Sequence, residues 1–155
     1  MAAVWYLAFL IGVVSGLRAF AGLVAVCWAA RLRWIGLDGT KLAFLGFLAT
    51  PYIVSVLGAV ELVTDQLPST PSRKVPQQFA PRVLMGALCG AALGLAGQNL
   101  AAGIIAGVLG SLVGTYGGAW MRGTLAGLFG KDLPAALLED VIAYGIAFFV
   151  VTRTF

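Results

Sequence analysis

The sequence predicts an all-α protein, a transmembrane helical bundle of about five spans packed through glycine. Three observations predict it. Of 155 residues, 61% are hydrophobic and 10% charged, whereas a soluble domain carries about 25% charged residues. The shortfall recurs along the whole chain, so lipid is the natural solvent for most of it. Four apolar blocks, Ala3 to Ala30, Ala43 to Thr64, Val83 to Met121 and Ala135 to Thr152, meet the demand of a hydrocarbon core about 30 Å thick, roughly 20 residues at ~1.5 Å each. The third block runs 39 residues without a formal charge. As one helix it would measure about 58 Å, so it must fold back on itself.

The first block starts almost at Met1 with no Lys or Arg before it and is longer than a signal-peptide core, so residues 3–30 read as a retained span. The second span covers 43–64, with Pro51 expected to kink it. Residues 65–82 hold four of the six prolines and three basic groups and read as an extended surface connection. Gly97-Gln98-Asn99 is the only polar punctuation in the third block. Gly and Asn there can supply a positive-φ turn, giving spans over 82–97 and 99–121. The 82–97 segment is short for a crossing, and a re-entrant or buried helix is its alternative. The last span covers 135–152, and the whole chain is one domain. Arg31, Arg33, Lys41 and Arg153 fall on one face against Arg73, Lys74, Arg82, Arg122 and Lys131 on the other. That balance sets no orientation.

Helices in lipid associate by close van der Waals approach, so small residues at four-residue spacing mark contact faces. Gly12/Gly16, Gly86/Gly90/Gly94, Gly103/Gly107 and Gly110/Gly114/Gly118 follow that spacing. The two three-member rows lie in the two arms of the expected hairpin and predict close packing between those arms. Glycine that opens a pore or lets a helix unwind is the functional alternative. Gly12 and Gly16 precede Arg18 as Gly110 and Gly114 precede Tyr116. If spans one and two correspond to four and five, the second copy is inverted, a pattern found in transporters.

Several functions are disfavoured. The basic groups lie where membrane loops belong and form no stripe with interleaved aromatics, so nucleic acid is not an expected partner. Histidine is absent and Cys27 and Cys89 sit inside apolar runs, so neither a metal nor another cofactor is expected. Ser15 has no histidine to act as its base and is expected to bond its own backbone, so the chain does not read as an enzyme.

The polar site starts from Arg18, near the middle of the first span. A guanidinium at the bilayer centre costs about 2.5 kcal/mol or more unless paired. Glu61 and Asp65, one turn apart, and Glu139 and Asp140 at the start of the last span are the carboxylates at or near membrane depth. With five spans these acids and Arg122 reach one face. Glu61, Asp65 and Asp140 could serve simply as interfacial caps, and the helix dipole favours Glu139 and Asp140 at their helix N-terminus. Glu61, at a helix C-terminus, lacks that support, and pairing with Arg18 or Arg122 is its expected role. Tyr116, within a glycine row, is a further candidate; the other tyrosines and the tryptophans fit packing or interface roles.

Gly16-Leu-Arg-Ala-Phe20, Glu61-Leu-Val-Thr-Asp65 with Pro68, Arg82 with Gly86-Ala87, and Leu138-Glu-Asp140 follow one another in an order that resembles the small bacterial membrane proteins grouped as domain of unknown function 4126. The resemblance spans nearly the full chain and departs at Gln66, where the pattern has Lys. It implies a multi-pass protein of a bacterial inner membrane and carries no established activity. The leading expectation is a homo-oligomer in membrane lipid whose polar site between helices binds or passes a small solute or ion. Arg18 would balance negative charge at mid-membrane. Glu61 and Asp65 would pair with it or take a cation or proton, and Arg122, Glu139 and Asp140 would complete the entrance. The alternative is a structural or accessory component whose charges only pair with one another and whose glycine faces bind partner subunits.

Overall fold

The computed structural model describes residues 2–67 and 69–154. Pro68 of the resemblance lies outside the described residues. Those residues form six α-helices and no strand: α1 (Ala2–Leu17), α2 (Ala19–Arg31), α3 (Thr50–Thr64), α4 (Pro76–Ala96), α5 (Leu100–Phe129) and α6 (Asp132–Thr152), with a 3-10 turn over Ala43–Gly46. Three of the helices, α4, α5 and α6, are long and apolar enough to cross a membrane.

The first apolar block is a helical hairpin rather than one span. α1 ends and α2 starts at Arg18, whose φ of −139° and ψ of 117° are extended. A Cβ built on Gly22 would lie 3.2 Å from the Ile11 carbonyl oxygen and 2.6 Å from Ser15 Oγ. In a continuous helix those residues stand about 16 and about 10 Å away along the axis, so α2 doubles back along α1. At 16 and 13 residues, the arms measure about 24 and about 20 Å, short of a 30 Å core. The tip at Arg18 therefore stops inside the bundle. α3 runs antiparallel to α2, which brings Glu61 to Ala19 and Phe20 at one end and Ser55 to Trp28 at the other.

Other boundaries also move. Pro51 falls in the first turn of α3, where a proline forfeits no helical hydrogen bond, so it does not kink the segment. α4 begins at Pro76, inside the stretch expected to be loop, because the first helical position has no need of an N–H. Pro81 forfeits only a bond to the carbonyl of Gln77, an exposed residue. The connection is thus 65–75, and α4 has 21 residues, enough to cross. α5 continues through Arg122 for 30 residues and ends at Gly130, which takes the left-handed φ of 67°. The α4–α5 turn lies at the expected place. Its positive φ, 60°, belongs to Gln98, while Asn99 caps α5 by accepting from the Ala102 N–H at 3.1 Å. Gly97 is required because a Cβ there would strike Val4.

α5 is the axis of the bundle. Gly103 and Gly107 meet Gly86, Gly90 and Gly94 of α4, backbone against backbone. Gly110 and Gly114 meet Phe9, Val13 and Gly16 of α1 instead, and Gly12 meets Gly107. The two long rows therefore do not face each other. At ~100° per residue, Gly107 and Gly110 lie some 60° apart around α5, so each stripe serves a different neighbour. α5 also runs unbroken past Tyr116, whereas α1 stops at Arg18, so the two segments aligned by their glycines differ in shape.

Gly107→Val should lower stability by about 1–3 kcal/mol through overpacking, because its side chain would meet the Gly86 carbonyl. Gly117→Ala, where a Cβ would meet nothing within 4 Å, should be close to neutral. Thermal unfolding in detergent micelles measures both.

Candidate binding site

The tip of the α1–α2 hairpin exposes a problem that lipid does not solve. The first turn of α2 has amide N–H groups without helical partners, and the last turn of α1 has free carbonyls. Side chains from other helices reach two groups of each set. The Glu61 carboxylate accepts from the Ala19 N–H at 2.6 Å and the Phe20 N–H at 2.9 Å. Arg82 NH1 donates to the carbonyls of Gly16, at 3.2 Å, and Leu17, at 2.7 Å, and Thr115 Oγ1 donates to Gly16 at 3.4 Å. Glu61 sits where the positive end of α2's dipole favours an anion. Its partner is a helix N-terminus, not the arginine that its spacing suggests.

Arg18 is fully buried at the turn. Its Nε donates to Asp140 Oδ1 at 2.6 Å, NH2 lies 2.5 Å from the same oxygen, and NH1 donates to Asp65. Asp65 is shared with Arg82 NH2 at 3.3 Å. Beside this pair of bridges, Arg73 grips Glu139 with two hydrogen bonds of 2.5 and 3.0 Å. Gly118 makes the room, since a Cβ there would lie 2.8 Å from Arg73 NH1. Arg122 holds Asp132 through Nε at 2.9 Å and NH2 at 2.6 Å, donates from NH2 to the Asp65 carbonyl at 3.2 Å, and has NH1 3.7 Å from Glu139. Four arginines and five acids thus meet near one end of the bundle. Arg82 is the seventh residue of α4 and Asp140 the ninth of α6, so the network reaches from the helix ends, where Asp132 lies, to about 10 Å below them.

A cavity of about 340 Å³ opens onto this network. Its wall includes Asp65, Arg73, Arg82, Arg122 and Asp132, together with the hydroxyls of Thr70 and Ser72 and the amide of Gln78. Arg18 lies behind Asp65 and Arg82 and does not line it. Six residues singled out in the sequence, Arg18, Glu61, Asp65, Arg122, Glu139 and Asp140, are brought together. Tyr116 is not. It is 52% exposed on the outer face of α5, with its ring centroid 6.0 Å from that of Phe79. Glu139 and Asp140 are also not dipole caps. They lie two turns into α6, beyond the first turn where the dipole acts; the acid of that turn is Asp132.

Arg73, Arg82 and Asp132 are the members that loop composition concealed. The proline-rich stretch between α3 and α4 looks like solvated connection, and nothing in its local pattern aims Arg73 inward. Arg82 carried a usable signal. It follows Pro81 directly and precedes Gly86, Gly90 and Gly94 at four-residue spacing, which puts it on the packed face of α4.

Buried amides without acceptors cost about 1–3 kcal/mol. Glu61→Ala should therefore destabilise the fold by that amount, while Glu61→Gln, whose side-chain carbonyl can still accept one N–H, should recover part of it. Arg18→Ala should cost more, about 3–5 kcal/mol, because Asp140 loses its ion pair and Asp65 keeps only Arg82 in a buried site. Thermal unfolding of the three variants in one detergent gives the ranking.

No protein-family model matches the chain, and no curated protein and no solved structure matches it.

Proposed function

We propose that this chain is a multi-pass integral membrane protein, of the bacterial inner membrane and of the kind that it resembles, whose polar cavity binds a small solute or ion and passes it between the helices. The observation that supports the reading is the cavity itself. Its floor is formed by Asp65 and Arg82, the two residues that link it to the broken turn at Arg18. Discontinuous helices in membrane transporters place backbone ends and ionisable side chains around a solute in this way, since irregular backbone at membrane depth is tolerated only in protein or beside a cavity. In this reading α4, α5 and α6 cross the membrane, the α1–α2 hairpin enters from the end opposite the cavity, and the 15-residue α3, also short of the core thickness, lies against α2. The hairpin then replaces the single crossing of a five-span arrangement. Arg18 and Glu61 shape the turn; Asp65, Arg82, Arg73 and Arg122 meet the solute.

One observation favours the structural or accessory reading: Arg18 is fully buried and bridged to two carboxylates, as a purely architectural charge would be. The two readings separate in proteoliposomes. Uptake of potassium, chloride, phosphate and acetate would be followed for the wild type, Arg18→Ala, Glu61→Gln and Arg122→Gln. The proposal expects the wild type to move at least one of the four above empty liposomes, and Arg122→Gln to reduce that flux at least tenfold. Equal background flux from all four proteins would establish the structural reading.

A further inference from the structure

We infer that the cavity takes a small oxyanion, a phosphate or carboxylate group, and that Asp132 is its built-in competitor for Arg122. The inference rests on the cavity being a solute site. The wall carries three guanidinium groups against two carboxylates, with two hydroxyls and one amide beside them. Each guanidinium offers five N–H donors, and the surrounding acceptors do not exhaust them. Arg82 Nε is buried with no hydrogen-bond partner. Arg122 NH1 stands 3.7 Å from Glu139, beyond hydrogen-bonding distance. Glu139 behind Arg73 balances the third guanidinium, so it is the surplus of donors in the wall that suits a ligand that only accepts.

The acids differ in how firmly they are held. Asp65 is tied to both Arg18 and Arg82, and Glu139 is fully buried under Arg73. The Asp132 side chain is 57% exposed, and its hydrogen bonds and its ion pair, among the described residues, go to Arg122 alone. It can swing into water and leave no buried charge behind, and an ion pair this exposed is held weakly. Arg122 is 15% exposed and presents the planar fork that binds carboxylate or phosphate with two parallel hydrogen bonds. An arriving oxyanion therefore reproduces the Asp132 contact and gains Arg73 and Arg82 from the same wall. Asp132 holds Arg122 in place while the cavity is empty and yields when it fills.

Phosphate can arrive as a free ion or on a lipid headgroup, and the test separates them. Radiolabelled inorganic phosphate would be titrated onto the full chain in nanodiscs of phosphatidylcholine, with and without added phosphatidylglycerol. Native mass spectrometry would score retained phosphatidylglycerol. The expectation is saturable binding that Asp132→Asn tightens roughly two- to fivefold, the worth of an exposed pair, and that Arg122→Gln abolishes. Retention of phosphatidylglycerol with that same dependence on both residues, in place of free phosphate, would identify the lipid headgroup as the source. Binding of neither, or an Asp132→Asn protein that binds no more tightly than wild type, would overturn the inference. A gain of affinity cannot come from misfolding, so this variant decides the matter even if Arg122→Gln unfolds. Flux of another solute without phosphate binding would defeat this inference alone, and phosphate binding without any flux would defeat only the passage of solute.

Discussion

The structure depends on satisfying backbone at a turn that water does not reach. A helical hairpin whose tip lies buried inside a largely apolar bundle places amides and carbonyls in an apolar medium, and each one left unsatisfied is costly. Glu61 and Arg82 remove that cost from opposite sides, one accepting from the start of α2 and the other donating to the end of α1. Both are charged, so each makes a stronger hydrogen bond than a neutral partner would. Glu61 is answered by the amides and the dipole of α2, whereas Arg82 also needs a counter-charge, and the ion network supplies it. Arg82 leans on Asp65, Asp65 on Arg18, and Arg18 on Asp140. The charges are a consequence of the turn before they are anything else.

Glycine makes the network possible at a distance. With no Cβ on Gly103, Gly107, Gly110 and Gly114, α5 lies against α4 on one side and α1 on the other at backbone contact. This approach gives dispersion and Cα–H···O contacts, which drive helix association where no water is expelled. It also fixes the depth at which each helix presents its polar residues. Gly118 continues the row and shelters the Arg73–Glu139 pair. The residues that pack the bundle and those that position its charges thus belong to the same stripe.

The cavity lies at the edge of this arrangement, and its composition follows from it. Arginines recruited to hold carbonyls and carboxylates retain unused N–H groups, because a guanidinium has more donors than any one partner can absorb. Where the bundle opens between α4, α5, α6 and the 65–75 connection, those donors line a space large enough for a small ligand. Exposure divides the network there. Arg18 and Glu139 are shut away, while Arg122 and Asp132 face the opening.

Composition and block length by themselves determined that the chain is helical and belongs in lipid. The uncharged stretch from 83 to 121 required a reversal, and its polar punctuation placed that reversal at Gln98. The cost of a lone arginine in hydrocarbon required acids to answer Arg18, and the scarcity of charge left few candidates. Local pattern could not reveal that residues 3–30 also reverse. Gly16-Leu-Arg-Ala-Phe20 contains no turn signal; its helix breaks because Glu61 and Arg82, 41 to 66 residues away along the chain, stabilise the ends that the break creates. The helical continuation of Arg122, the inward aim of Arg73 and the pairing of Glu61 with amides were likewise settled by neighbours distant in sequence. Hydrophobicity is a property of each segment and can be read from it, whereas the partner of a buried charge is decided only when the segments come together.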